Sequence, residues 1–236
     1  MLKKLMISAA ALCVAAPAVM STASAQELGV SASIDYVSQY VFRGVGLAEG
    51  AIQPGIELSY GGLYGGVWYS APVEDDFYYL EETDYYIGYG FALSESISAD
   101  VGVTSYTYSD GFDSTTEIYG GLSFDTVAFA PAVYAYYDFD LEAFTLEGSG
   151  GYSWPLGEAT SLDFGAALGF VEPDEGDGYQ YGSVGLALSQ AFSESVSGYA
   201  GVNAGYSSED TFIDDIENGE FDSTGIWAGI GLSFSN

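Results

Sequence analysis

The chain has 236 residues, 34 of them acidic against three basic and no histidine, for a formal net charge of −31. A field of that sign repels nucleic acid and anionic surfaces and draws cations, so a nucleic-acid partner is excluded. The one cysteine, Cys13, lies near the N-terminus, which leaves the remainder without disulfides or thiolate metal sites.

The first 25 residues read as a secretory leader. Lys3 and Lys4 precede an apolar run from Leu5 to Val19, and small residues end in Ala23-Ser24-Ala25 before Gln26. Cys13 sits inside the apolar run behind Leu12, which is too large for the residue that precedes a lipidated cysteine. Cleavage after Ala25 leaves Arg43 as the only cation of a single domain, 26–236. No later apolar run reaches the roughly 20 residues that a membrane helix needs.

From Leu28 onward, apolar and polar side chains alternate in about twelve segments separated by turn-forming or acidic stretches. Successive strand side chains point to opposite faces, so each segment has one greasy and one wet face. The first segment carries Leu28, Val30, Ala32, Ile34, Tyr36, Tyr40 and Phe42 on one face, with Ser31, Ser33, Asp35, Gln39 and Arg43 on the other. The second, Ile52 to Tyr60, ends at a Gly61-Gly62 turn. The third, Leu63 to Ala71, is ambiguous, because Trp68 is out of phase with Leu63, Val67 and Tyr69.

The fourth sets Tyr85, Ile87, Tyr89, Phe91 and Leu93 against Asp84, Gly88 and Gly90, and the fifth sets Ile97, Val101 and Val103 against Asp100 and Thr104. Ile118, Leu122 and Phe124 mark the sixth, Val127 to Phe139 the seventh, and Phe144, Leu146, Tyr152 and Trp154 the eighth. The last four are marked by Leu162 to Phe170, Val184 to Phe192, Val196 to Tyr206 and Ile226 to Phe234. Short connections alternate with long ones, apart from a short link between the seventh and eighth. This pattern predicts an all-β, transmembrane, antiparallel up-and-down barrel of about twelve strands, with short turns and both termini in the periplasm.

Large aromatics on the greasy face fall into two sets along the strand axis, as expected where rings seek the membrane–water boundary. Phe42, Tyr85, Phe139, Phe144, Phe170 and Tyr206 lie toward the long loops. Tyr60, Phe91, Phe124, Phe129, Trp154, Phe192 and Phe234 lie toward the short turns. A soluble barrel or sandwich, its greasy face turned inward, gives no reason for this arrangement.

Most acids fall in long loops, among them Glu74, Asp75, Asp76, Glu81, Glu82, Glu172, Asp174, Glu175, Asp177, Asp214, Asp215 and Glu217. Asp35, Glu57, Asp84, Asp100, Glu117, Glu147 and Asp163 fall inside strands, all on the wet face. A charge against lipid tails is costly, so these seven, with Arg43, are the candidate pore-lining residues. An inner ring of carboxylates favours cations. Arg43 reads either as a fixed positive charge near the outer mouth or as a salt bridge pinning its hairpin. Inward Gly88, Gly165, Gly169, Gly185, Gly201, Gly229 and Gly231 are expected to leave room in a narrow lumen.

Without histidine, and with lysine and cysteine confined to the leader, the usual nucleophiles and bases are missing; an enzyme is not expected. No cofactor is implied. The expected partners are outer-membrane lipid and lipopolysaccharide, small cationic or neutral solutes, and divalent cations at the acidic loops, where carboxylate oxygens suit Ca²⁺ or Mg²⁺. A passive channel and a structural or adhesive barrel without an open pore both fit this composition.

The most distinctive string is Asp35-Tyr36-Val37-Ser38-Gln39-Tyr40-Val41-Phe42-Arg43-Gly44, followed by Ala51-Ile52-Gln53-Pro54-Gly55, Leu63-Tyr64-Gly65-Gly66-Val67-Trp68 and Glu82-Thr83-Asp84-Tyr85-Tyr86-Ile87-Gly88-Tyr89. Over roughly residues 28 to 90 this resembles the TorF-type porin family of proteobacterial outer membranes. The resemblance implies an outer-membrane barrel of a Gram-negative bacterium and a porin-like role, without naming a solute. Where that family carries polar residues after the Arg-Gly pair, this chain has Val45, Gly46 and Leu47.

Overall fold

The computed structural model describes residues 28–74, 80–109, 112–215 and 218–236. The expected leader with Cys13 and Ala25, and the loop acids Asp75, Asp76 and Glu217, lie outside the described residues. The described residues form β1 (Gly29–Val37), β2 (Tyr40–Phe42), β3 (Val45–Ala48), β4 (Ala51–Tyr60), β5 (Leu63–Pro72), β6 (Glu82–Ala92), β7 (Ser98–Tyr108) and β8 (Thr115–Ser123). There follow β9 (Ala132–Asp138), β10 (Ala143–Pro155), β11 (Thr160–Pro173), β12 (Tyr179–Ala191), β13 (Val196–Ser207), β14 (Phe212–Asp215), β15 (Glu220–Asp222) and β16 (Thr224–Ser235), with no helix among the described residues.

Twelve of these strands close a ring in the order β1-β16-β13-β12-β11-β10-β9-β8-β7-β6-β5-β4, and β1 pairs antiparallel with both β4 and β16. Closure leaves no strand edge, the condition for putting a sheet into hydrocarbon, where an unpaired backbone group finds no water. Alternation fixes which face looks out. Ile34, Tyr36, Ile56, Leu58, Ile87, Val101, Ile118, Leu186, Leu188 and Ile230 are all exposed, whereas Asp84, Asp100, Glu117, Glu147 and Asp163 are buried within the ring. An uninterrupted apolar outer belt with charge confined inside is the signature of a transmembrane barrel.

The aromatic sets of the outer face hold with two departures. Tyr85, Phe139, Phe144, Phe170 and Tyr206 are exposed toward the long loops, and Tyr60, Phe91, Phe129, Trp154, Phe192 and Phe234 toward the short turns. Phe124 is half-buried. Phe42 does not face lipid at all, because β1 stops at Val37, short of the predicted segment, and the chain turns into the ring. Tyr40 and Phe42 are each 3% exposed, in β2.

A second correction concerns the connection between β8 and β9. The periodicity carries strand from Val127 onward, yet 124–131 forms an eight-residue turn at the short-turn end. Phe129 and Ala130 adopt left-handed φ values of 67° and 39°, and Pro131 follows, so the ladder restarts only at Ala132. Trp68, the residue out of phase in its predicted strand, is placed by the fold: Tyr64, Trp68 and Ser70 form the inner face of β5, while Leu63 and Val67 are exposed.

If the outer belt lies in lipid, a cation placed on it near the midplane carries the full transfer cost. Leu186→Arg, in the middle of β12, is expected to lower folding stability in phosphatidylcholine vesicles by about 2–4 kcal/mol. Urea titration, scored by the gel mobility of unboiled against boiled protein, reads this loss.

Candidate functional site in the barrel lumen

All seven strand carboxylates singled out in the sequence point into the ring, spread over β1, β4, β6, β7, β8, β10 and β11. Glu57, Asp100, Glu147 and Asp163 are met by hydroxyl groups. Tyr64 donates to both oxygens of Asp100 at 3.0 and 2.9 Å and lies 2.6 Å from the Tyr119 hydroxyl. Tyr86 donates to Glu57 at 3.1 Å, Tyr181 to Glu147 at 2.6 Å, and Ser153 and Ser161 to Asp163 at 2.6 and 3.2 Å. Asp35 faces Gly231 and the ring of Tyr199. A hydroxyl satisfies a carboxylate oxygen without bringing positive charge.

These inward tyrosines were not anticipated, and they fill the space assigned to glycines. A side-chain atom at Gly88 would run into the rings of Tyr64 and Tyr119, one at Gly169 into Tyr181, and one at Gly231 into Tyr199 and Asp35. Gly88, Gly169 and Gly231 therefore seat aromatic rings and leave no open space at those positions, whereas Gly201 lies against Ala187. Glu82 was read as a loop acid but begins β6, 2% exposed, and accepts a hydrogen bond from Tyr40 at 3.1 Å. Its signal was available, since Glu82 shares the inward parity of Asp84 and Tyr86.

The segment 38–50 is the functional element that periodicity concealed. Phe42 pairs with Val45 across a two-residue turn in which Arg43 and Gly44 have φ values of 44° and 78°. Two successive left-handed residues are the signature of the tight turn that matches strand twist. Gly44 is required there, because its backbone is left-handed and a Cβ would collide with Tyr181. For Arg43 that conformation costs on the order of 1 kcal/mol.

What that strain achieves is the reach of Arg43. The hairpin springs from β1, yet Arg43 meets Glu117 on β8, with β4, β5, β6 and β7 between them around the ring. The two groups make parallel hydrogen bonds of 2.7 and 3.1 Å, and Tyr106 adds one to Glu117 at 3.0 Å. The guanidinium is also 4.1 Å from the ring centre of Tyr136 and 4.5 Å from that of Phe42. Arg43 is 8% exposed, so the salt-bridge reading holds, but its partner stands on the far wall and not beside the hairpin.

Apolar packing holds the rest of the hairpin inside. Tyr40, Phe42 and Ala48 pack with Val37, Ala51 and Ile213; Val45 packs with Ala143, Val171, Tyr179 and Tyr181; Val41 packs with Phe212 and Trp227. Val45 and Leu47, where polar residues were the family expectation, are thus interior residues. The loop between β13 and β16 docks on the hairpin: Gly46 N donates to Thr211 O at 2.8 Å, Thr211 Oγ1 to Gly44 O at 2.5 Å, and Gln39 Nε2 to Ile213 O at 2.9 Å. Together the β2–β3 and β14–β15 hairpins roof the lumen at its long-loop end.

Between roof and wall lies a cavity of about 360 Å³, bordered by Arg43, Trp68, Asp84, Tyr106, Glu147 and Trp227 among others. Among the described residues no group of three or more carboxylates is placed to hold a metal ion.

Comparison with known proteins agrees with this architecture. No curated protein sequence matches the chain. The NanC porin structure superimposes over 87% of this chain and 98% of its own with a TM-score of 0.58 at 12% identity. The KdgM porin in complex with disordered oligogalacturonate does so over the same shares, with a TM-score of 0.56 at 10% identity. At such identities the likeness is one of fold. The sequence model of Gcw_chp, described as bacterial protein of unknown function, matches residues 21–152, a stretch that contains the Phe42-Arg43-Gly44 turn, Asp84 and Glu117. The chain therefore belongs to the Gcw_chp family.

Proposed function

We propose that the protein is a porin-type passage in the outer membrane of a Gram-negative bacterium, exported by its leader, that prefers small cations over anions. The TorF-type resemblance of residues 28 to 90 and the porin fold both support the coarser part of this reading. One observation carries the finer part: the lumen holds Asp35, Glu57, Glu82, Asp84, Asp100, Glu117, Glu147 and Asp163, while Arg43 is the only cation among the described residues and is bound to Glu117. Tyrosine and serine hydroxyls meet Glu57, Glu82, Asp100, Glu147 and Asp163 without bringing counter-charge. The summed field then concentrates cations in a low-dielectric corridor.

In this reading the outer face sits among lipid and lipopolysaccharide, and the exposed loop acids are hydrated or bridged by divalent ions. No catalytic group is proposed. The roof is the restriction, with the Arg43–Glu117 pair as its latch. A second reading, a structural or adhesive barrel without an open pore, draws on the same roof and on the tyrosine-filled lumen; single-channel recording separates the two.

In planar bilayers with a KCl gradient, the reversal potential is expected to favour K⁺ over Cl⁻, and the preference to weaken as salt shortens the Debye length from about 10 Å at 0.1 M to about 3 Å at 1 M. A chloride-favouring potential refutes the selectivity, and the absence of any current refutes the passage. Removing Arg43 alone leaves Glu117 buried and uncompensated, a loss of about 3–5 kcal/mol, so the latch is best tested with both charges removed. The double variant Arg43→Met with Glu117→Gln is expected to fold and to show a conductance at least twice that of the parent; an unchanged conductance refutes the latch.

A further inference from the structure

Asp84 is the inner carboxylate with an oxygen to spare. It is 4% exposed, it borders the cavity beneath the roof, and its Oδ1 receives no hydrogen bond. A buried carboxyl oxygen without a hydrogen-bond partner is costly, and it marks a place where a donor is missing. Arg43 does not supply it, since both of its bonds go to Glu117.

The flanks of Asp84 are aromatic by register. Trp68 on β5 and Tyr106 on β7 are its direct cross-strand partners, and Tyr86 is the next inward residue on its own strand. All three border the same cavity. Tyr40 of the roof packs against Trp68 at a ring separation of 5.5 Å and donates to Glu82, the inward residue on the other side of Asp84. Ring faces attract cations, and a carboxylate between them supplies a charge-assisted acceptor. A volume of about 360 Å³ is that of a small-molecule pocket and far exceeds a bare ion. The ring faces and the surrounding acids suit a cation, the orphaned oxygen suits an N–H donor, and the walls and volume suit an organic body.

We infer that the lumen carries a binding station for a small alkylammonium ion, its N–H donating to Asp84 Oδ1 and its carbon chain lying against Trp68 and Tyr106. This deepens the reading of the lumen as a cation passage by naming the class of solute that pauses there.

The test is an equilibrium titration of the purified barrel in detergent micelles with propylammonium chloride, read by tryptophan emission at constant ionic strength against KCl. A saturable change is expected that is lost in Trp68→Phe, weakened at least tenfold in Asp84→Asn, and retained in Glu158→Gln, an exposed turn acid. Retention of full affinity by a folded Asp84→Asn overturns the proposal. A comparison that needs no variant guards against a misfolded one: propylammonium must bind the parent at least tenfold more tightly than tetramethylammonium, which has no N–H, and KCl must give no saturable change. Equal binding of either control ion overturns the station. Because the titration involves no ion flow, binding without current refutes only the passage, and current without binding refutes only the station.

Discussion

The structure depends on one constraint: a closed sheet whose outer face meets hydrocarbon has nowhere but the inside to put charge. The seven acids that alternation places on the wet face obey it, from Asp35 on β1 to Asp163 on β11. What distinguishes this barrel is how the crowding that results is managed. Cations could have neutralised the acids, but the sequence supplies Arg43 alone beyond the leader. Tyrosines supply the donors instead, with Tyr64 on Asp100, Tyr86 on Glu57, Tyr181 on Glu147 and Tyr40 on Glu82. The donors are neutral, so these hydrogen bonds bring no counter-charge to the acids they meet. The price is space, since the rings of Tyr64, Tyr86 and Tyr181 occupy volume left by Gly88, Gly66 and Gly169 on adjoining strands.

The single arginine is accordingly used where one fixed charge has the largest mechanical effect. On the tip of a tight turn, strained into the left-handed region, it crosses the ring and joins β1's hairpin to β8. A planar guanidinium matches a carboxylate in two parallel bonds and stacks on aromatic faces, neither of which an ammonium does as well. The apolar side chains of the same hairpin, Val41, Phe42 and Val45, are buried in three hydrophobic clusters. The roof is therefore a small hydrophobic core with one ionic pin.

The barrel itself was legible because a period of two along the strand is imposed by backbone geometry and lipid together, and no tertiary accident can alter it. The inner position of all seven strand acids was legible for the same reason. What alternation could not distinguish is a strand lining the wall from a strand folded into the lumen. Tyr40 and Phe42 keep the phase of Ile34 and Tyr36, yet the chain turns inward after Val37, and both rings face neighbours of a different kind. Tyrosine was the second blind spot: its ring suits lipid and its hydroxyl suits an acid, so Tyr64, Tyr86 and Tyr106 could be assigned only once register placed them beside Asp100, Glu57 and Glu117. Glu82 shows a milder failure, for its parity with Asp84 was visible but a loop boundary was drawn in front of it. The turn at Phe129 and Ala130 shows the limit of periodicity, which counts apolar residues and does not register left-handed backbone.

The β2–β3 hairpin follows β1 and the β14–β15 hairpin precedes β16, the two strands that meet to complete the ring. Thr211 and Gly44, which join the hairpins, are 167 residues apart in sequence and become neighbours only when first and last strands have zipped together. Contacts of such separation form late, because the entropy of closing the intervening chain must be overcome first. The junction of the two hairpins thus depends on the same long-range closure that seals the seam of the ring.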